Sequence, residues 1–384
     1  MNYLVLGAGM MGSAVAYDIA TRNPADTVIL ADINTDAATR SAQAIGPNVK
    51  PLGLDVNNAD DLARAMKECR VAVSAVSYSV NEDVTRAAIR AGVHVCDMGG
   101  NNDVVERQLT FDREAKAAAV TAIPNCGLAP GLVNILAVSG ASEFDELDSM
   151  FLRVGGLPQH PRPPLNYQIV FSAEGLINEY VEQAEVIRDG RLVLVEGMSG
   201  LEEIEFPPPF GTLEAFSTSG GVSTIARHFE GKVNTLDYKT IRYKGHCERF
   251  KMLLDLGFAS NEPLMVGGSV KTNREFFTDL LRKKLDFGDK DLVLARVAIT
   301  GRRGKVAQRL VYECIDYYDD STAMTSMMRT TAFPTSIIAQ MLAQGKISSP
   351  GVMPPEFCIP GDLMIQELAL RNVTITKRVT ETWS

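Results

Sequence analysis

Gly7, Gly9 and Gly12 stand in GxGxxG spacing, directly after the apolar run 3–6. Met11, Val15 and Ile19 follow at i, i+4 and i+8, one face of a helix. Strand, glycine turn, helix is the order of a dinucleotide-binding unit. There the first glycine permits a tight turn. The second lets a pyrophosphate approach the backbone, and the third lets helix and strand pack closely. The phosphates meet the helix N-terminus, here Met10 and Met11, where unpaired N–H groups and the dipole favour an anion. A second apolar run, 27–32, ends in Asp32, 20 residues after Gly12. An acid at that point takes the adenosine ribose hydroxyls and repels a 2′-phosphate. The next basic residue is Arg40, so the spacing predicts NAD rather than NADP; the other role open to Asp32 is helix capping.

These glycines need a sheet behind them, and the chain supplies its pattern. Strand-like runs at 49–54, 71–76, 94–96 and 120–123 alternate with helical faces at 62–69, 82–91 and 103–119. Repeated β-α units of this length predict a parallel sheet covered on both sides. Ligands bind beyond the C-terminal strand ends of such sheets, which singles out the loops 7–12, 32–34, 55–57, 76–81, 97–102 and 124–131. Asp55 and Val56 fall where an adenine edge would lie, although Asp55 serves equally as a turn residue before Asn57. Ala75 and Val76 close the fourth strand on the cofactor side. Tyr78 follows them, where a nicotinamide would lie, and Asp97 ends the fifth strand before Gly99 and Gly100.

After residue 131 the texture changes to longer β-rich segments at 147–155, 191–196, 233–243, 292–300, 309–318 and 322–330. Val293, Ala295, Val297 and Ile299 alternate with their neighbours, which predicts an antiparallel sheet with one exposed face. Helical stretches at 174–184 and 272–285 lie between, and 337–342 and 362–371 are helical again. The expected organisation is discontinuous: 1–130 with 332–384 as the dinucleotide-binding domain, 131–331 as a second, substrate-binding domain.

Composition excludes several classes. Hydrophobic residues are 46% and charged residues 22%, as in an ordinary globular chain. The net charge of −9 argues against nucleic-acid binding. No stretch reaches the roughly 20 apolar residues that span a bilayer, and no signal peptide opens the chain. The six cysteines form no CxxC pair, and the four histidines show no metal-ligand spacing. The expectation is a cytoplasmic protein with reduced thiols, no metal site, no membrane or nucleic-acid partner, and a dimer or higher homo-oligomer.

GAGMMG with Asp32, GLAPG at 127–131, PPLNYQIVFSAEGL at 163–176, LEAFSTSGGVST at 213–224 and YKTIRYKGH at 238–246 together resemble the saccharopine dehydrogenase-like family. The resemblance runs from residue 1 to about 380. It implies an α/β fold: a Rossmann-type parallel sheet domain plus an α+β substrate and dimerisation domain with a mainly antiparallel sheet. It implies NAD as cofactor and a small amino acid as substrate. The implied reaction is oxidative deamination of the ε-amine of lysine to an aldehyde, ammonia and NADH. A substrate carboxylate calls for a guanidinium, which grips it with two parallel N–H bonds, and Arg242 lies in the matching segment. Tyr167, Ser172, Thr218 and Ser219 lie in matching loops as hydrogen-bonding contacts. Losing a hydride from the carbon that bears the amine requires a proton acceptor for the nitrogen, for which His246, Asp97 and Tyr78 are the candidates. His246 titrates near neutral pH in the free state and stands where the lysine-active members carry histidine. Those members also carry a histidine after the acid at 97 and an acid before GLAPG; here the residues are Asn101–Asn102 and Asn125–Cys126. The alternatives are saccharopine dehydrogenase or reductase activity, another amine substrate, or a non-enzymatic NAD-binding sensor. Saccharopine carries three carboxylates, and besides Arg242 only Arg227, Arg153 and Lys244 stand near enough in the motifs to serve them.

Overall fold

The structure, a computed structural model, describes residues 1–267, 269–347 and 349–381. It divides into two compact units, Met1–Ser142 with Met328–Thr374, and Glu143–Met327 with Ile375–Ser384.

The first unit is a parallel sheet of Asn2–Leu6 (β1), Thr27–Asp32 (β2), Val49–Gly53 (β3), Val71–Ser74 (β4), His94–Asp97 (β5), Thr121–Ile123 (β6) and the short strand Gly351–Val352. From one edge the order is Gly351–Val352, β6, β5, β4, β1, β2, β3. The order reverses at β1, next to the glycine loop, where such sheets bind ligands. Tyr3–Leu6 and Val71–Val73 are buried, as expected for central strands covered on both faces. The predicted helix 103–119 is two helices, Asn102–Leu109 and Asp112–Ala117, separated at Thr110 and Phe111. The returning C-terminal segment is tied in by a buried ion pair, Arg371 Nε to Asp18 at 2.8 Å. Asp18 also accepts from Ser336 Oγ and Gln340 Nε2. A buried carboxylate satisfied this fully makes the discontinuous unit hold together, because losing one partner would strand a charge.

The second unit is built on a mixed, mainly antiparallel sheet. Its strands are Glu146–Pro158 (β7), Ala184–Arg188 (β8), Arg191–Val195 (β9), Glu202–Phe206 (β10), Gly211–Ser217 (β11) and Thr235–Arg242 (β12). A separate hairpin, Pro263–Val266 (β13) with Ser269–Thr272 (β14), precedes Asp291–Arg303 (β15) and Val306–Tyr317 (β16). The sheet order is β10, β11, β12, β7, β15, β16, then Ile375–Glu381, with β8 and β9 off this path. The β12–β7 pair is parallel.

Three expectations are corrected. The alternating strand β15, central in the sheet between β7 and β16, has no exposed face over most of its length: residues of both alternating sets are buried up to Gly301. The segment 322–330 is not a strand: a helix begins at Ser326. Its first amides donate to a buried acid far away in sequence, Ser326 N to Asp291 Oδ1 at 2.7 Å and Met327 N to Oδ2 at 2.9 Å. Residues 375–381 do not return to the first unit, because they pair antiparallel with β16. The unit boundaries accordingly fall at 142/143, 327/328 and 374/375, where the sequence placed 130/131 and 331/332.

Candidate active site

In the first unit the glycine loop has the shape its spacing requires. Gly7 takes φ +100°, and a Cβ there would lie 2.7 Å from the Ala75 carbonyl. A Cβ on Gly12 would lie 1.8 Å from the Gly7 carbonyl oxygen, so only glycine lets the helix Met10–Arg22 start this close to the loop. A Cβ on Gly9 would meet nothing within 4 Å, and no side chain caps that helix. An open glycine beside uncapped helix amides is a cradle for phosphate, and the loop fits a dinucleotide on these grounds.

Asp32 Oδ2 accepts from Ala8 N at 2.7 Å, and Oδ1 from Asn34 N at 2.8 Å. The acid therefore ties the glycine loop to the end of β2 while staying half-buried at the surface. Asp55 Oδ1 accepts from the Asn57 amide at 2.9 Å, a turn-forming bond, with Val56 between them. Ala75 and Val76 pack against Gly7. Asp97 is buried at the end of β5 and accepts from Gly99 N, Asn125 N and Gln108 Nε2. Burial pushes its carboxyl up, and these three donors oppose that shift. Tyr78 is half-buried in the preceding loop, its ring against Gly100. Asn101 caps the helix that follows. Cys126 is fully buried, its Sγ directed at the Ile123 carbonyl at 3.2 Å, and burial pushes the thiol well up. It is a packed residue.

In the second unit the structure gathers Arg242, Tyr167 and His246 and adds two residues the sequence did not single out, Tyr180 and Tyr238. Arg242 closes β12 and is 3% exposed. Its Nε donates to the Tyr180 hydroxyl at 2.8 Å and Nη1 to the Ile241 carbonyl at 2.9 Å. Its guanidinium lies 4.5 Å from the centre of the Tyr167 ring. No carboxylate among the described residues lies within ion-pairing distance, and Nη2 has no hydrogen bond there. A buried cation without a counter-ion is costly.

The turn after Arg242 is fixed by Glu214. Its carboxylate accepts from the amides of Gly245 at 2.8 Å and Cys247 at 2.6 Å, anchoring the N-terminus of the helix His246–Asp255. Gly245 takes φ +84° to enter that helix.

His246 is placed differently from what a catalytic base needs. It is 0% exposed, with Nδ1 2.9 Å from the Leu165 carbonyl and Nε2 3.0 Å from the Tyr180 hydroxyl. A carbonyl only accepts, so Nδ1 carries the proton and Nε2 receives the hydroxyl's. Burial first, then the Arg242 charge, pushes the imidazole down to about 3, so it is neutral across the neutral range. It stands in a chain of hydrogen bonds in which Arg242 donates to Tyr180, Tyr180 to His246, and His246 to Leu165. His246→Gln is therefore expected to raise KM about tenfold and to keep the pH profile of kcat. Loss of the neutral limb of that profile would make His246 the base after all.

Thr218 is buried, its hydroxyl 3.1 Å from that of Thr240 in β12. Gly221 lets Tyr238 pack, since a Cβ there would lie 2.3 Å from its ring. Tyr167 is fully buried, and burial pushes its hydroxyl up to about 12. Ser172 and Ser219 are not drawn into this cluster. Ser172 caps the helix Ala173–Val181 through Gly175 N, and Ser219 Oγ donates to Glu182 at 2.9 Å. Tyr180 sits in a segment whose pattern is that of any amphipathic helix, so nothing in its spacing marks it.

The comparisons with known proteins agree with this geometry. A family model described as the saccharopine dehydrogenase NADP binding domain matches residues 3–123, and one described as the saccharopine dehydrogenase C-terminal domain matches 127–373. The first unit thus carries an NAD(P)-binding domain of Rossmann type. The chain belongs to the saccharopine dehydrogenase family. It is 25% identical over 265 residues to saccharopine dehydrogenase (NADP+, L-glutamate-forming) of Schizosaccharomyces pombe, covering 67% of this chain and 58% of that one. It is 24% identical over 391 residues to carboxynorspermidine synthase of Vibrio cholerae, covering 92% and 91%. The solved structure of apo saccharopine dehydrogenase (L-Glu forming) from Saccharomyces cerevisiae superposes with a TM-score of 0.82 at 18% identity, covering 99% of each chain. That likeness confirms the two-sheet α/β fold. The chain spans about half the length of several curated relatives it matches. No described helix is long and apolar enough to cross a membrane.

Proposed function

We propose that this protein is a nicotinamide-dinucleotide-dependent dehydrogenase that oxidises a carbon–nitrogen bond of an amino acid bearing one carboxylate, which Arg242 grips. The observation that carries this is the buried guanidinium of Arg242 without a carboxylate partner. The other basic residues near the motifs are already neutralised. Arg153 pairs with Glu202 at 2.5 Å and Asp237 at 2.6 Å, and Lys239 pairs with Glu202 at 2.6 Å. Arg227 faces Glu185 at 3.6 Å, and Lys244 pairs with Glu203 at 2.7 Å. One unpaired buried cation suits one carboxylate better than three.

The finer proposal is L-lysine 6-dehydrogenase: the ε-amine is oxidised to an imine, which water opens to the aldehyde and ammonia. The bound dinucleotide supplies the hydride acceptor. Gly7, Gly9, Met10, Met11, Gly12 and Asp32 would hold it, with Asp55, Val56, Ala75 and Val76 along its length. Asp97 and Tyr78 are the proposed proton-handling groups of that unit. A second reading, oxidation of a secondary amine such as saccharopine or a carboxylated polyamine, is supported by the names of the curated relatives. It would release an amine or amino acid in place of ammonia.

The test is reduction of NAD and NADP with L-lysine, saccharopine and buffer alone, with ammonia measured beside it. Lysine-dependent reduction with equimolar ammonia supports the finer proposal. Reduction with saccharopine and no ammonia overturns it in favour of the second. Asp32 makes a separate prediction against the NADP of the relatives. NAD is expected to exceed NADP by about 10- to 100-fold in kcat/KM, equivalent to about 1.4–2.8 kcal/mol, because a carboxylate repels the 2′-phosphate beside it. Asp32→Ser should narrow that ratio; an unchanged ratio would mean the acid only holds the loop.

A further inference from the structure

We propose that the first unit carries a second ligand site, a cavity walled by Arg22, Lys346 and Arg371 that binds a small oxyanion, the phosphate or carboxylate head group of a metabolite. It lies at the end of the helix Met10–Arg22 away from the glycine loop, and does not depend on the roles given to that loop or to Arg242.

The cavity has a volume of about 150 Å³. A space of that size accepts a ligand of about six non-hydrogen atoms, as benzene in an engineered core cavity shows. Three stretches of chain build it: the end of Met10–Arg22, the turn after the helix Ser326–Ala343, and the end of the helix Gly361–Ala369. Each brings one cation, Arg22, Lys346 and Arg371 in turn, while Ile337, Met341 and Leu370 supply an apolar wall.

Helix C-termini disfavour an anion where their carbonyls stand open. Here those carbonyls are covered. Ile19 O accepts from Asn23 N, Gln340 O from Gln344 N, Met341 O from Lys346 N, and Leu368 O from Arg371 N. Leu370 O accepts from Arg22 Nη2. The side chains therefore set the charge of the cavity.

The cations keep free donors. The Arg371 side chain is 3% exposed; its Nε donates to Asp18 at 2.8 Å, and its Nη1 to the carbonyl and the carboxylate of Glu367, each at 2.8 Å. Its Nη2 has no hydrogen bond among the described residues. Arg22 Nε stays 4.0 Å from Asp18, and its Nη1 is likewise without a hydrogen bond there. Lys346 stands exposed at the rim beside Gln344, and its Nζ has no hydrogen bond or ion pair among the described residues. Two acids, Asp18 and Glu367, thus face three cations, and both acids are already bonded to Arg371. An oxyanion fills what is left, since guanidinium and ammonium donors make short, charge-assisted bonds to phosphate and carboxylate oxygens. Bound there, it cross-links the helix that starts at the glycine loop to the returning C-terminal segment, beside the Asp18–Arg371 pair that already joins them.

The test is calorimetric titration of the full chain, saturated with NADH, with inorganic phosphate and with succinate in separate runs at constant chloride. NADH fills the glycine loop, so an anion there does not register. A saturable site is expected for at least one of the two, and which one identifies the head group. Lys346→Glu and Gln344→Glu each place a negative charge at the exposed rim. Each should weaken that anion about tenfold or more, with a melting temperature within about a degree of the wild type. Arg371 is the wrong residue to change, because its loss strands the buried Asp18 carboxylate. A carboxylate taken by Arg242 keeps its affinity in both variants, which separates the two sites. If the anion binds both variants as it binds the wild type, it sits elsewhere and the proposal fails. Heat that follows ionic strength alone, without saturation by either anion, also overturns it.

Discussion

Replacing Arg242 with methionine is expected to cut turnover severely and to leave the fold as stable as before, or more so. The two effects have one cause. The guanidinium is buried and lacks a carboxylate among the described residues, so the free protein bears its desolvation without an ion pair in return. Exchanging a buried charge for an apolar side chain of similar volume is often neutral or stabilising by about 1–4 kcal/mol. The substrate loses more. Truncating one side of a buried, hydrogen-bonded charge pair costs about 2–5 kcal/mol, so kcat/KM should fall by roughly 30- to 5,000-fold. Arg242→Lys should fall between, because an ammonium cannot form the fork and cannot reach both Tyr180 and the ligand. Thermal melting beside steady-state kinetics checks both halves. A methionine variant that melts well below the wild type would assign Arg242 to the framework, as the donor that orients Tyr180. A stable variant with unchanged kinetics would remove it from the site.

The parts of this structure that were legible in the sequence are those set by short-range rules. The glycine loop and Asp32 follow from the strand, turn and helix order within about thirty residues, where the backbone itself makes the site. Arg242 and Tyr167 were visible only through the resemblance of their segments to a family. Tyr180 was invisible, because its hydrogen bond to Arg242 depends on a strand, β12, about sixty residues later; on its own helix it is one buried position of an amphipathic pattern. The surroundings of His246 were invisible for the same reason. A histidine's usual titration range says nothing once Tyr180 and the Leu165 carbonyl occupy both ring nitrogens in a dry pocket. The helix at Ser326 was mistaken for a strand because threonine and methionine patterns carry weak preferences. What decides that segment is Asp291, a buried acid from β15 that accepts its first two amides. The last strand went to the wrong unit because 375–381 has only Ile375 buried, and an exposed edge strand shows no apolar pattern.

Gly9 and Gly12, three residues apart in one motif, are expected to fail in different ways when changed to alanine. At Gly12 the new Cβ would fall 1.8 Å from the Gly7 carbonyl oxygen, a backbone atom that a rotamer change cannot remove. The helix Met10–Arg22 must then shift away from the loop, and overpacking of this kind costs about 1–3 kcal/mol or more. At Gly9 the Cβ meets nothing within 4 Å, and the residue has φ −74°, which alanine adopts without strain. Its substitution should therefore leave the melting temperature within about a degree of the wild type, in keeping with a surface change of under 0.5 kcal/mol. The cofactor feels both. A methyl group at Gly9 occupies the space through which the pyrophosphate reaches the uncapped amides of the helix, so affinity should drop by about 10- to 100-fold with the fold intact. Gly12→Ala should lose both affinity and stability. Fluorescence titration with NADH and thermal melting, run on the two variants, separate these outcomes. If Gly9→Ala binds NADH as the wild type does, the open space above Gly9 is not where the pyrophosphate passes, and the cradle must be sought elsewhere on the rim of the sheet. If Gly9→Ala unfolds, the space is not open in solution, and the loop closes over it in the free protein.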